Sequence, residues 1–253
     1  MVGKPFLGGS QNIKRDWRND SVPPGTGAGA AGGGGCAFPT GPRSSKRVTP
    51  GSTWPSFLFA PGAGAPASSD WMRAWRERLS SIGHVEVRTF DYLYMRAAKR
   101  RSPDRLPVLI ETHRAALAEL RSSAAGPVFL IGKSMGGRIG CHVALEESVA
   151  GLVCLGYPLK SGATGALRDQ VLLALKTPIL FVQGTRDPLC PLDLLADVRT
   201  RMKAPTALMV VEGGDHSLAV SAATRKMRGE TQADSDARVL EAIRSFCLTA
   251  RAP

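Results

Sequence analysis

The chain has 253 residues, 43% of them hydrophobic and 21% charged, which is enough for one folded domain with a sizeable core and short for two. No apolar run approaches the roughly 18–20 residues that a membrane-spanning helix needs. The five cysteines are odd in number and widely spaced, with no C-x-x-C, which argues against a disulfide framework and against a zinc site.

The formal net charge of +12 points towards nucleic acid until its distribution is followed. Residues 1–50 hold seven basic side chains against two acids, so +5 of the charge sits there. The rest is scattered, often beside acids, as in "WRERL" and "VRTRMK". The opening "MVGKPFLGGSQNIKRDW" lacks the continuous apolar stretch of a secretory signal, so the expected location is cytoplasmic, with the nucleus as the other candidate. Residues 1–52 read as a disordered, Gly-rich, basic tail, because "PPGTGAGAAGGGG" buries too little apolar surface to offset the entropy of ordering it. The folded domain is expected over 53–253.

From Trp54 onward, strand-sized apolar runs alternate with helical patterns. In chain order the runs are 56–60, 85–90, 127–132, 151–157, 178–184 and 207–213, each bounded by Gly or Pro. They are apolar on both parities, as strands covered on both faces of a parallel sheet are. Helical spacing fills the intervals at 69–83, 107–123, 135–148, 163–176 and 191–203, with Ser69 or Asp70 as the first cap, Gly83 as a stop, and a closing helix over 235–248. The basic cluster 97–105, "AAKRRSPDR", reads as a solvated loop, with an anion-attracting rim as the alternative. Such alternation predicts an α/β fold, an open, mostly parallel sheet with helices on both faces.

One stretch, "VFLIGKSMGG" (128–137), carries two motifs at once. A phosphate-binding loop would need a glycine five residues before Gly132, and that position is Pro127; the intervening "VFLI" is strand, so no phosphate cradle forms. The same letters fit G-x-S-x-G between a strand and a helix, the sharp turn that lifts a nucleophilic serine above a sheet edge. Ser134 is then the candidate nucleophile. Met135, at the helix N-terminus, offers its backbone N–H to a developing oxyanion.

Five letters decide little alone, but a triad also demands an acid after a later strand and a histidine after the last. Asp187 follows the run 178–184, and His216 follows 207–213, both in loops at strand carboxyl ends where an open α/β sheet places its site. Asp215 adjoins His216, so its side chain is expected to point elsewhere. His84, His113 and His142 read as ordinary surface or interface residues. The glycine-rich loop "FAPGAGAP" (59–66) resembles the His-Gly-Ala-Gly loop of small α/β hydrolases, with Pro61 in place of histidine. Ala63 aligns there with the second oxyanion donor.

Six blocks in order carry a wider resemblance: "APGAGAPASSDWMRAW", "VRTFDYLYM", "GKSMGGR", "VCLGYPLK", "VQGTRDPLCP" and "GGDHS". Together they resemble small α/β hydrolases related to dienelactone hydrolase, and within these the testis-expressed and NSL-complex-subunit hydrolase-like clade with its plant relatives. The resemblance spans about residues 54–248. It implies an α/β-hydrolase fold with a minimal cap, and it carries over Ser134 as nucleophile, Asp187 as acid and His216 as base. Leu93 departs from the pattern, standing where proline is usual, which predicts a changed turn at one pocket wall.

The expected function is therefore a serine hydrolase acting on a small-molecule ester or related acyl substrate, with no metal and no organic cofactor. The alternative is a catalytically weak scaffold of the same fold that binds a protein partner. A nucleic-acid role is disfavoured, since aromatic residues make up only 6% and no aromatic-basic motif is present. Lys133 and Arg138 beside the turn hint at an acidic substrate, against the plainer reading that Lys133 faces solvent.

Overall fold

The computed structural model describes residues 55–96, 102–162 and 164–250. The tail expected over 1–52 and part of the basic 97–105 cluster lie outside the described residues. The chain divides into two units, Met1–Ser45, which is wholly outside them, and Lys46–Pro253.

Six strands form one sheet: β1 (Ser56–Ala60), β2 (Glu86–Thr89), β3 (Val128–Lys133), β4 (Gly151–Leu155), β5 (Ile179–Gly184) and β6 (Thr206–Val211). Every pairing is parallel, and the spatial order is β2-β1-β3-β4-β5-β6. The chain steps outward from β1 to β2, returns past β1 to β3, and then runs outward the other way. Adjacent strands β1 and β3 thus send their following connections in opposite directions, and the crevice between their carboxyl ends is the topological switch point.

Alternation along the strands explains why both parities are apolar. Phe57, Phe59, Phe129, Ile131, Val153 and Leu155 point to one face, where they meet α1 (Asp70–Ser80) and the last helix, α7 (Gln232–Thr249). Leu58, Leu130, Leu152, Cys154 and Phe181 point to the other, against α2 (Leu106–Arg121), α3 (Met135–Val143), α4 (Gln170–Ala174) and α5 (Leu192–Arg201). The four inner strands are almost entirely buried, whereas the edge strands β2 and β6 are mostly half-buried. No helix among the described residues is long and apolar enough to cross a membrane.

The departures from the expected elements have local causes. β4 stops at Leu155 because Gly156 turns to φ +68°, and β6 stops before Gly213 for the same reason. The helix expected over 163–176 shrinks to α4. Ahead of it, Ser161 N bonds Ala166 O and Arg168 N bonds Leu159 O, closing a small turn across the Lys160–Leu167 bridge. α3 ends at Val143, short of Ser148. A helix absent from the sequence reading, α6 (Ala222–Arg228), buries none of its side chains and so leaves no apolar periodicity to find. α7 starts three residues early because Thr231 and Asp234 form a reciprocal capping box. In α1, Ser69 is the N-cap without a side-chain cap bond, and the helix ends at Ser80, ahead of Gly83.

Phe129 joins three elements: its ring lies edge-on to Phe57 of β1 and to Phe246 of α7, each at 6.2 Å between centroids. Truncation leaves a cavity between sheet and helix that rigid strands cannot close. Phe129→Ala is expected to lower unfolding stability by about 3–5 kcal/mol, read as a drop in urea midpoint at unchanged m-value.

Candidate active site

The turn after β3 is built by close backbone contact. A Cβ on Gly132 would stand 2.1 Å from Gly137 N, and one on Gly136 would stand 2.6 Å from the carbonyl oxygens of both Ala60 and Pro61. Only hydrogen fits at either place. The tight packing swings Ser134 to φ 49°, ψ −114°, a left-handed conformation that a side chain disfavours. Its amide bonds Leu155 O at 3.1 Å, and α3 begins at the next residue.

Three side chains from separate loops meet at this turn. Ser134 Oγ lies 2.8 Å from His216 Nε2, and His216 Nδ1 lies 2.7 Å from Asp187 Oδ2. Because an ionised carboxylate only accepts, Nδ1 carries the proton and Nε2 presents a lone pair to the serine hydroxyl. The Asp187 side chain is fully buried, while that of His216 is 26% exposed. Asp187 also accepts from Gln183 Nε2 at 2.5 Å and from Leu189 N at 2.8 Å. Burial is the largest single influence on its carboxyl and pushes the pKa up. The bond and charge of His216, with the Leu189 and Gln183 bonds, outweigh it and hold the group below its ordinary value.

The His216 loop is held from several sides. Asp215 Oδ1 accepts from Ser217 N at 2.7 Å and Ala219 N at 3.0 Å, so this carboxylate shapes the loop and does not reach the imidazole's Nδ1 in place of Asp187. Gln232, at the start of α7, accepts from Val220 N at 2.8 Å and donates to Leu218 O at 3.1 Å. Leu218 takes φ 63° with its side chain buried in the core.

The loop after β1 brings Gly62 against the turn: a Cβ there would lie 3.6 Å from Ser134 Cβ. Ala63 follows. Among the described residues the N–H groups of Ala63 and Met135 meet no hydrogen-bond acceptor. With proline at 61, the loop is fixed otherwise. Tyr94 Oη donates to Ala63 O at 2.9 Å, and Ala67 N donates to Asp91 Oδ1 at 2.7 Å. Leu93, the position that departs from the resembled pattern, opens a 3-10 turn (Leu93–Arg96) with its own side chain half exposed and Tyr94 turned inward.

Several residues of the site were not singled out from sequence. Gln183 is a fully buried polar side chain in an otherwise apolar strand; it accepts from Tyr157 N at 3.1 Å while holding Asp187. An amide inside such a run, four residues before a candidate acid, is the signal that could have exposed it. Lys133 does not face solvent: its Nζ bonds His216 O and lies 5.2 Å from the centre of the Trp71 ring. Arg138 Nη1 meets His142 Nε2 at 3.5 Å. His113 is fully buried, not a surface residue; its Nδ1 meets Tyr92 Oη at 3.2 Å, and burial pulls its pKa down to about 3. Among the described residues no group of three or more His, Cys, Asp or Glu is placed to hold a metal ion.

A parallel α/β sheet whose switch point carries a strained serine turn defines the hydrolase class of open-sheet proteins. The chain belongs to the alpha/beta hydrolase domain family, whose model matches residues 54–248. Solved structures share the fold. An alpha-beta serine hydrolase homologue from Coxiella burnetii is 18% identical over 79% of this chain and 86% of its own, with a TM-score of 0.56. The esterase domain of a Rhodothermus marinus protein is 18% identical over 78% and 88%, at 0.54. Est1E of Butyrivibrio proteoclasticus, solved with ferulic acid bound, is 17% identical over 79% and 91%, at 0.58.

The depressed pKa of Asp187 ties stability to acid. A carboxyl whose folded value lies below its unfolded one contributes stability above the unfolded value, near 3.8 here, and loses it as pH falls through the folded value. Wild type is therefore expected to lose more stability than Asp187→Asn on acidification below about pH 4, measured as urea midpoints across pH.

Proposed function

We propose that the chain is a serine hydrolase of ester or related acyl substrates, working through an acyl-enzyme. The observation that carries the reading is the unbroken line from Ser134 Oγ through the His216 ring to Asp187, with spacings of 2.8 Å and 2.7 Å. As Ser134 Oγ attacks a substrate carbonyl, His216 Nε2 accepts its proton. Asp187 keeps the imidazole in the right tautomer and stabilises the imidazolium that forms. The oxyanion is received by the Met135 and Ala63 N–H groups, the first at the positive end of α3. The imidazolium then gives its proton to the leaving alkoxide. A water deprotonated by His216 releases the acyl group and restores the serine.

Support also comes from the strain in the arrangement. A serine held at φ 49° works against stability unless the geometry it creates is used. A binding scaffold has no need of the three groups in line. The narrower kinship with the testis-expressed and NSL-subunit clade rests on the six sequence blocks, and the location proposed with it is cytoplasmic or nuclear. A small-molecule acyl ester is the proposed substrate class.

Labelling with a fluorophosphonate probe tests this reading, since only an activated serine reacts. Wild type is expected to label and to hydrolyse p-nitrophenyl acetate. Ser134→Ala abolishes labelling, and His216→Ala lowers the turnover by about a thousandfold or more. Wild-type labelling no faster than that of Ser134→Ala overturns the proposal.

A further inference from the structure

We infer that Lys133 is a positioning residue, whose ammonium, together with the Trp71 indole, clamps the backbone of the base loop onto the serine turn. The inference rests on the serine-hydrolase reading, because what it positions is the base of that reaction.

The clamp is made of two donors on two consecutive carbonyls. Lys133 Nζ donates to His216 O, and Trp71 Nε1 donates to Ser217 O at 3.0 Å. One donor comes from β3 immediately before the nucleophile, the other from the second residue of α1, beyond the Ala63 loop. The two donors also hold each other, with the ammonium over the indole face at 5.2 Å from its centroid. A further element makes room. Gly156 ends β4 at φ +68°, and a Cβ there would lie 2.6 Å from His216 O and 3.4 Å from Lys133 Nζ. The space is reserved by the absence of a side chain.

This contact does what the side-chain bonds to His216 leave undone. Asp187 fixes the ring at Nδ1 from the β5 side but does not fix the loop that carries the ring. Holding the carbonyl of residue 216 from residue 133 ties base and nucleophile through a single side chain, since Ser134 follows Lys133 directly. The ammonium is directed to the main-chain oxygen of His216 and to the indole face.

The charges acting on the ammonium are those of Asp187 and Asp215, beside the His216 carbonyl that it bonds; Gly62 of the loop after β1 lies against the lysine stem, and the Trp71 indole of α1 lies against the ammonium. Burial dominates and lowers the lysine pKa from 10.5 to about 8, although both aspartates favour the charged form. The clamp is thus cationic at neutral pH and loses its charge in mildly alkaline solution.

Steady-state hydrolysis of p-nitrophenyl acetate between pH 6 and 10, with amide hydrogen exchange over residues 214–220, tests the inference on the full chain. Lys133→Met is expected to lower kcat about tenfold to a hundredfold with KM nearly unchanged, and to speed exchange in the loop. The wild-type alkaline limb near pH 8 should vanish in Lys133→Arg, which keeps its charge and restores most of kcat. Trp71→Phe retains a ring under the ammonium and removes the second donor, and should lower kcat by a smaller factor in the same direction. Lys133→Met with wild-type kcat, pH profile and loop exchange overturns the clamp while the hydrolase reading stands. A wild-type chain that neither labels with fluorophosphonate nor turns over ester removes the hydrolase reading, and the positioning role with it.

Discussion

The structure depends on how closely β3 and α3 are pressed together at the turn between them. Gly132 and Gly136 stand where a methyl group would collide with backbone, at 2.1 Å and 2.6 Å. The strand therefore runs directly into the helix, and Ser134 takes up the angle at φ 49°. Such a conformation costs on the order of 1–3 kcal/mol and persists only where its surroundings over-determine it. Here they do. β3 pairs along its length with β1 and β4, and its apolar side chains fill both faces of the sheet. The sheet is the anchor that lets one residue remain strained.

That anchor also explains how loops remote in sequence meet. In a parallel sheet every strand ends on the same rim, so the loops after β1, β3, β5 and β6 open on one side. β5 supplies Asp187 and the glutamine that holds it; β6 supplies His216; β1 supplies the loop of Ala63. What differs is the manner of fixing. Asp187 is buried and surrounded by donors, whereas His216 sits on a partly exposed loop whose backbone is tied by Asp215, Gln232, Lys133 and Trp71. In the proposed reaction such fixing has an advantage, since full burial would disfavour an imidazolium whereas a main-chain tie does not.

The strands and the three residues at the rim were legible because each leaves a local mark: apolar runs between Gly and Pro, a glycine-spaced serine, and an acid and a histidine each just beyond a strand. The remainder was not, for a common reason. α6 buries nothing, so its formation rests on the Ser221 cap and leaves no periodicity. The shortened α4 and the turn before it depend on backbone bonds between residues whose side chains do not announce them. His113 reads as polar in sequence yet is fully enclosed, because the pocket formed by Phe90, Tyr92 and α2 exists only once the chain is folded. Lys133 is the sharpest case. A lysine in a motif's variable position carries no sign of direction, and its inward turn is fixed by Trp71, Gly156 and a carbonyl 83 residues away.

The same lysine places stability and chemistry in opposition. Its folded pKa, near 8, lies below the unfolded 10.5, so between these values the unfolded chain binds more protons, and this group's contribution to folding improves as pH rises. Below pH 8 the lysine is charged in both states and its burial is a standing penalty. The charged form is nevertheless the one that bonds His216 O most strongly, because a hydrogen bond from an ionised donor is roughly twice as strong as a neutral one. Asp187 also gains stability as pH rises, but at neutral pH its contribution is opposite in sign, since its depressed carboxyl adds stability throughout the range in which it is ionised. At neutral pH the site therefore holds an anion that stabilises the fold and a cation that weakens it, the first bonded to the ring of His216 and the second to its carbonyl. Only the cation's retention calls for a reason outside stability, and the carbonyl it holds belongs to the residue that would take the proton from the serine.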